Sequence, residues 1–316
     1  MNDRKNYAFR LSILFTTLFV VCSGLTRAHA AEPFEIKNGD RIVFLGSTFI
    51  ERDVRYGCTE TIMTTHFSEY DLTFRNLGWS GDNVSGEARA SFDSVLKGYE
   101  RLINQVNEAK PNVLLVSFGH NESFKGEAGV EDFVDGYEKL LDDVSSTNAR
   151  IVLISPTLQE NMGAPLPDPS EHNDDVRLYT NAIKKIAKER SYHFIDMTKQ
   201  LPVSRKVAEA PLTNNGVHFT ETGYWEVATK LMNGLGYDIA EPDRARLAPL
   251  RDVINEKNRL FFNRWRPQNE TYITGFRKHE QGRHVAEFPE YDPLVKEQEE
   301  KIAALRISLV GKGEAK

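Results

Sequence analysis

The chain predicts an α/β fold: a three-layer α/β/α sandwich around a five-stranded parallel sheet, followed by a mainly helical C-terminal extension. Three observations lead there. From residue 41 onward short β-branched runs alternate with longer helical patterns, the rhythm of parallel strands joined by crossover helices. Four of the five candidate strands are apolar on consecutive positions rather than alternating, as strands covered on both faces require. The composition, 40% apolar and 27% charged over 316 residues, suits a folded protein with one large core and an appendage.

The candidate strands are Arg41 to Phe44, Leu72 to Asn76, Asn112 to Ser117, Arg150 to Ser155 and His193 to Asp196. Helical periodicity fills Phe92 to Ala109, then Val130 to Val144 with Phe133, Val134, Tyr137, Leu140 and Leu141 on one face. A third helix covers Asp174 to Arg190, and a fourth Glu221 to Leu235, stopped by Gly234-Leu235-Gly236. Beyond it the pattern changes to a helix from Pro242 to about Asn263, an irregular stretch Arg264 to Gly282 and a charged helix from about Pro293 to Leu309. The expected organisation is a leader over 1–30, an α/β domain over 31–240 and an extension over 241–316 packed on it.

The leader carries Arg4, Lys5 and Arg10, the apolar run Leu11 to Leu25, and Ala28-His29-Ala30, the three parts of a secretory signal. Cleavage is expected after Ala30, giving an exported protein. The run is short of the ~20 apolar residues that span a bilayer, so no stable membrane anchor is expected after cleavage. Cys22 follows Val21 where a lipoprotein signal has a small residue. Cleavage would leave Cys58 alone, so neither an internal disulfide nor a cysteine-built zinc site is expected, and Cys58 reads as a small buried apolar residue. The net charge of −6 gives no attraction to phosphate backbones, which sets nucleic-acid partners aside. There is no GxxxxGK[ST] loop, no GxGxxG after the first strand, no HExxH and no CxxC, so no metal or nucleotide cofactor is expected.

In doubly wound sheets ligands bind beyond the carboxyl ends of the strands. The segments there are Gly46-Ser47-Thr48, Gly78-Trp79-Ser80-Gly81-Asp82 and Gly119-His120-Asn121-Glu122. Late in the chain His218 stands in the polar turn Asn214-Asn215-Gly216-Val217, directly before a helix. Imidazole titrates near neutrality and serves as a general base when it faces a hydroxyl in a cleft; at a helix start it equally well packs or caps. Taken singly, Asn121 is compatible with a turn cap or a sugar acceptor in Asn-Glu-Ser, and Gly81 with an ordinary turn glycine. His120 is compatible with a ligand contact or with packing.

Taken together, these blocks resemble the SGNH, or GDSL, family of ester hydrolases over roughly residues 40 to 236. That family sets a serine nucleophile in Gly-Asp-Ser after the first strand, a glycine in a Ser-Gly-Asp context after the second, Gly-x-Asn after the third and Asp-x-x-His near the end. Here the blocks read Phe44-Leu45-Gly46-Ser47-Thr48, Ser80-Gly81-Asp82, Gly119-His120-Asn121 and Asn215-Gly216-Val217-His218. The resemblance implies a flavodoxin-like sheet of the SGNH hydrolase type. It also implies an oxyanion hole from the Gly81 N–H and the Asn121 amide, His218 as base, and no cofactor. Fixed donors at a developing oxyanion are each worth about 3 kcal/mol.

Two positions depart from the pattern. Thr48 stands at the serine position, where its methyl restricts χ1 and crowds the attacking oxygen; Ser47 stands at the aspartate position and needs a shifted turn to attack. Asn215 replaces the acid that orients the histidine, removing the charge that stabilises imidazolium. Asp82 and Asp196 are the remaining carboxylates open for that role. The functional expectation is hydrolysis of a carboxylic ester, an acylated carbohydrate or small acyl ester; the rival is a carbohydrate-binding cleft with little or no turnover. In the extension, Arg264 and Arg266 interleaved with Trp265, Tyr272 and Phe276 suit a sugar or acidic ligand, or the pinning of a loop onto the core, which such side chains do more often.

Overall fold

The computed structural model describes residues 32–201, 210–266 and 269–310. The expected leader and its cleavage site lie outside them. Five strands form one parallel sheet: β1 (Arg41–Gly46), β2 (Thr73–Asn76), β3 (Val113–Ser117), β4 (Arg150–Ile154) and β5 (His193–Ile195). Their order is β2-β1-β3-β4-β5, the flavodoxin-like arrangement with its switch point between β1 and β3.

The helices in chain order are α1 (Thr48–Asp53), α2 (Cys58–His66), α3 (Val95–Ala109), α4 (Val130–Val144), α5 (Ser170–Arg190), α6 (Met197–Gln200) and α7 (Glu221–Gly234). The extension holds α8 (Arg244–Trp265), α9 (Glu270–Ile273), α10 (Lys278–Gln281) and α11 (Tyr291–Val310). Strand side chains alternate between two cores because successive residues point to opposite faces. Ile42, Phe44, Val113 and Leu115 pack with Ile62 and Met63 of α2 and Trp225 and Ala228 of α7. Val43, Leu45, Leu114 and Val116 pack with Leu102 of α3, Leu140 and Leu141 of α4 and Ile183 of α5. Both faces are covered, which is why the strands read as continuous apolar runs.

The structure corrects the sequence reading between β1 and β2, where no helix was assigned. In α2 every residue from Cys58 to Thr64 is buried, so no polar stripe marks the helix, and four threonines lower its intrinsic propensity. The α3 helix starts at Val95 rather than Phe92, with the Ser94 side chain accepting from the Lys97 N–H as a cap. The stretch Arg264 to Gly282, read as irregular, holds α9 and α10, and a 3₁₀ run Gly282–Glu290 follows it.

The extension covers the outer edge of the sheet. The Thr73 N–H pairs toward β1, to Asp40, so the Phe74 carbonyl of β2 points away, and Lys257 Nζ of α8 donates to it at 3.3 Å. The same ammonium meets both carboxylate oxygens of Glu60 on α2 at 2.7 Å, with the two side chains 1% and 8% exposed. Arg75 of β2 pairs with Glu299 of α11 at 2.6 Å, so a sheet edge that would invite another strand is filled within the chain. No helix among the described residues is long and apolar enough to cross a membrane.

Removing one partner of a buried ion pair strands the other charge. Lys257→Met should therefore destabilise the fold by about 3–5 kcal/mol in guanidinium unfolding. Adding Glu60→Leu should recover much of the loss; a double variant less stable than Lys257→Met would contradict this account.

Candidate active site

The chain leaves β1 through Ser47 straight into α1. The Ser47 carbonyl accepts from the Ile50 and Glu51 N–H groups at 3.1 Å, and Thr48 is the first helical residue. That turn sits directly on the loop after β2. A Cβ at Gly78 would lie 2.3 Å from the Glu51 nitrogen, so only glycine allows the seat. The Trp79 N–H donates to the Gly46 carbonyl at 2.9 Å, and the Glu51 carboxylate accepts from the Ser80 N–H. Gly81 then turns with φ +76°, a left-handed conformation glycine adopts without cost, and its N–H donates to Thr48 Oγ1 at 3.0 Å.

The loop after β3 is held by the buried Glu122, whose two oxygens accept from the Val84 N–H at 3.0 Å and the Gly119 N–H at 2.9 Å. Burial raises the Glu122 pKa, against the opposing pull of these backbone donors. Asn121 beside it spends one amide N–H on the Asp82 carbonyl at 2.6 Å and keeps a second, because a primary amide carries two. The histidine turn is closed by a Thr213–Phe219 bridge, and the Glu160 carboxylate accepts from the Leu212 and Thr213 N–H groups at 3.2 and 2.9 Å. Thr220 caps α7, its side chain accepting from the Gly223 N–H at 3.1 Å.

Ser47, Thr48, Asn121, Asn215 and His218 line one cleft of about 300 Å³, and Gly81 reaches it through its N–H on Thr48. All six residues singled out in the sequence are thus brought to the carboxyl ends of β1 and β3. Among the described residues no hydrogen bond joins Thr48 or Ser47 to His218, a contact that is often long in unliganded clefts. Burial, then the guanidinium groups of Arg52 and Arg55, hold the His218 pKa below the ordinary histidine value. His120 lines the same cleft, and burial, followed by His172 and His218, pushes it down to about 4.

Asn215 presents the wrong end of its amide to His218. Its Oδ1 accepts from the His218 N–H at 2.9 Å and the Val217 N–H at 3.2 Å, which leaves Nδ2 facing His218 Nδ1 at 3.3 Å. Turning the amide over would set its NH2 against two backbone donors. Nδ1 must therefore accept, the ring proton sits on Nε2, and the tautomer is the opposite of the one a general base needs. Where a carboxylate would accept from the imidazole, the amide here donates to it.

Neither substitute carboxylate is free. Asp82 is wholly buried on Arg89 at 2.7 Å, and Asp196 pairs with Lys199 at 3.0 Å and accepts from the Thr198 hydroxyl at 2.6 Å. The aromatic-arginine segment of the extension pins rather than opens: Arg266 lies 3.9 Å over the Trp79 ring and donates to Glu51 at 2.7 Å. Burial lifts Glu51, but Arg266 and Ser80 outweigh it and its pKa falls below the usual carboxylate value. Sequence reasoning missed Arg52, Glu51, Glu122 and Tyr224, whose hydroxyl donates to the Phe49 carbonyl at 2.8 Å and ties α7 to α1. Cys58 is free and buried, with its thiol pKa raised by burial.

A doubly wound α/β domain with a hydroxyl, paired amide donors and an imidazole at its switch point is the architecture of acyl-transfer hydrolases. The profile of the GDSL-like lipase/acylhydrolase family matches residues 58–226, more than half of the chain, and the chain belongs to that family. The match holds the second, third and fourth blocks and starts beyond Ser47 and Thr48.

Among solved structures the chain is similar to a candidate GDSL-like lipase from Parabacteroides merdae, at 21% identity and TM-score 0.52 over 65% of this chain and 99% of that one. A catalytic mutant of an acetylxylan esterase from Geobacillus stearothermophilus matches at 16% identity and TM-score 0.50, over 64% and 97%. A gut microbial diltiazem-metabolizing enzyme matches at 18% and 0.50 over 64% of this chain; the match spans 48% of that protein's length. These likenesses show the fold. No curated protein matches the chain.

The tautomer is directly measurable. Imidazole ¹⁵N shifts of His218 should report a proton on Nε2, and Asn215→Asp should move it to Nδ1. A wild-type ring protonated on Nδ1 would contradict the donor role of Asn215.

Proposed function

We infer that the protein is an exported hydrolase of carboxylic esters, working on an acylated carbohydrate or small acyl ester, with a weakened catalytic centre. The observation that carries this reading is the convergence of Thr48, Gly81, Asn121 and His218, with the Gly81 N–H already on Thr48 Oγ1. Once the ring has moved its proton from Nε2 to Nδ1, turning away from the Asn215 amide, Thr48 Oγ1 attacks the ester carbonyl while His218 Nε2 takes its proton. The carbonyl oxygen gains charge and accepts from the Gly81 N–H and the second Asn121 N–H. The alcohol leaves with the proton returned by His218, and water then cleaves the acyl-threonine by the same route.

Asn215 holds the resting ring in the unproductive tautomer and offers no charge to the imidazolium. The same observation favours a second reading, a cleft that binds an acylated sugar without turning it over.

Wild type should hydrolyse a short-chain aryl ester slowly, and Asn215→Asp should raise the rate, more so with Thr48→Ser, while His218→Ala abolishes the gain. Because a base works when deprotonated and His218 titrates below its ordinary 6.5, the acid limb of the wild-type rate should lie below that pH. Asn215→Asp should move the limb upward. A folded double variant no faster than its His218→Ala control would leave the binding cleft as the function. Export is tested separately: N-terminal sequencing of secreted protein should begin at Ala31, and a mature chain starting at Met1 would rule it out.

A further inference from the structure

We propose that Arg52 makes the cleft specific for an acidic sugar, holding the ligand's carboxylate while the ester lies at Thr48. The proposal rests on the ester-hydrolase reading and names the substrate class of that site. Arg52 stands four residues after Thr48 in α1, so the two side chains share one face of the helix. It lines the cleft, half-buried, and its Nε is buried without a hydrogen-bond partner. Among the described residues its guanidinium forms no ion pair, whereas the partly buried Arg75, Arg150, Arg251 and Arg266 are each paired with a carboxylate.

The acids nearest in sequence are spent elsewhere: Glu51 on Ser80 and Arg266, Asp53 on the Cys58 and Thr59 N–H groups at 3.1 and 3.3 Å. Among the described residues no Asp or Glu lines the cleft. A buried, unpaired donor costs free energy, and a planar guanidinium fork matches a carboxylate with two parallel hydrogen bonds. The chain as a whole carries −6, so an anion enters here only because the cleft is locally cationic. The rim supplies the second half of the recognition. Phe124, 66% exposed, offers a ring face for a sugar, and a cleft of about 300 Å³ holds a single sugar residue.

Calorimetric titration with D-glucuronate, D-glucose, D-glucose 6-sulfate and acetate tests this without turnover, so the result stands whether or not the protein hydrolyses esters. Glucuronate should bind at least about tenfold more tightly than glucose, the worth of one charge-assisted hydrogen bond. The preference should vanish in Arg52→Gln, persist in part in Arg52→Lys, and weaken in wild type as salt is raised. Equal binding of glucuronate and glucose by wild type, or a preference that survives Arg52→Gln, overturns the proposal. Acetate binding as tightly as glucuronate removes the sugar from it, and a stronger response to the sulfate ester removes the carboxylate. If Arg52→Gln fails to fold by circular dichroism, Arg52→Lys and the salt dependence of wild type decide.

Discussion

The cleft depends on one close approach of backbone to backbone. Helix α1 rests on Gly78 with no room for a side chain, and from that seat the positions of Thr48, Gly81 and Arg52 all follow. Glu51 secures it: three residues past Thr48, nearly one helical turn, its carboxylate takes the Ser80 N–H and the Arg266 guanidinium, so α1, the second loop and the extension are locked at one buried charge. Glu122 does the same for the third loop, and Glu160 for the histidine turn. Three carboxylates thus do in this protein what packing alone cannot, because loops beyond strand ends carry backbone donors that must be satisfied out of water.

Against that rigid frame the chemistry is uneven. On the ester-hydrolase reading the groups that would stabilise a developing oxyanion stand in the cleft, while those that would drive proton transfer are weakened: a crowded hydroxyl, an amide in place of a carboxylate, and an imidazole whose pKa is lowered by burial and two nearby guanidiniums. The cationic surroundings that lower the pKa of His218 are also what an acidic ligand would neutralise, so ligand and base are coupled through one field.

Much of this was legible in the sequence. The strands showed because burial on both faces leaves consecutive apolar residues, and the order of the four polar blocks identified the sheet ends. Helix α2 was hidden because a helix buried all round has no stripe. Arg52 was hidden for a different reason: its relation to Thr48 exists only once α1 is known to be helical. The direction of the Asn215 amide could not be read either, since it is set by two backbone N–H groups of the turn itself. Asp82 and Asp196 looked like substitutes because sequence shows a charge and not its partner.

The link between Glu51 and Arg266 spans 215 residues. During synthesis the first βα unit emerges long before the arginine that neutralises its carboxylate, and closing so long a loop is slow. Until then Glu51 is a charge that resists burial, and α1 has no reason to settle on its seat. The seat under the cleft is therefore complete only once the C-terminal segment has folded back onto it, so a chain cut short of Arg266 would lack the partner of the charge that holds its first βα turn.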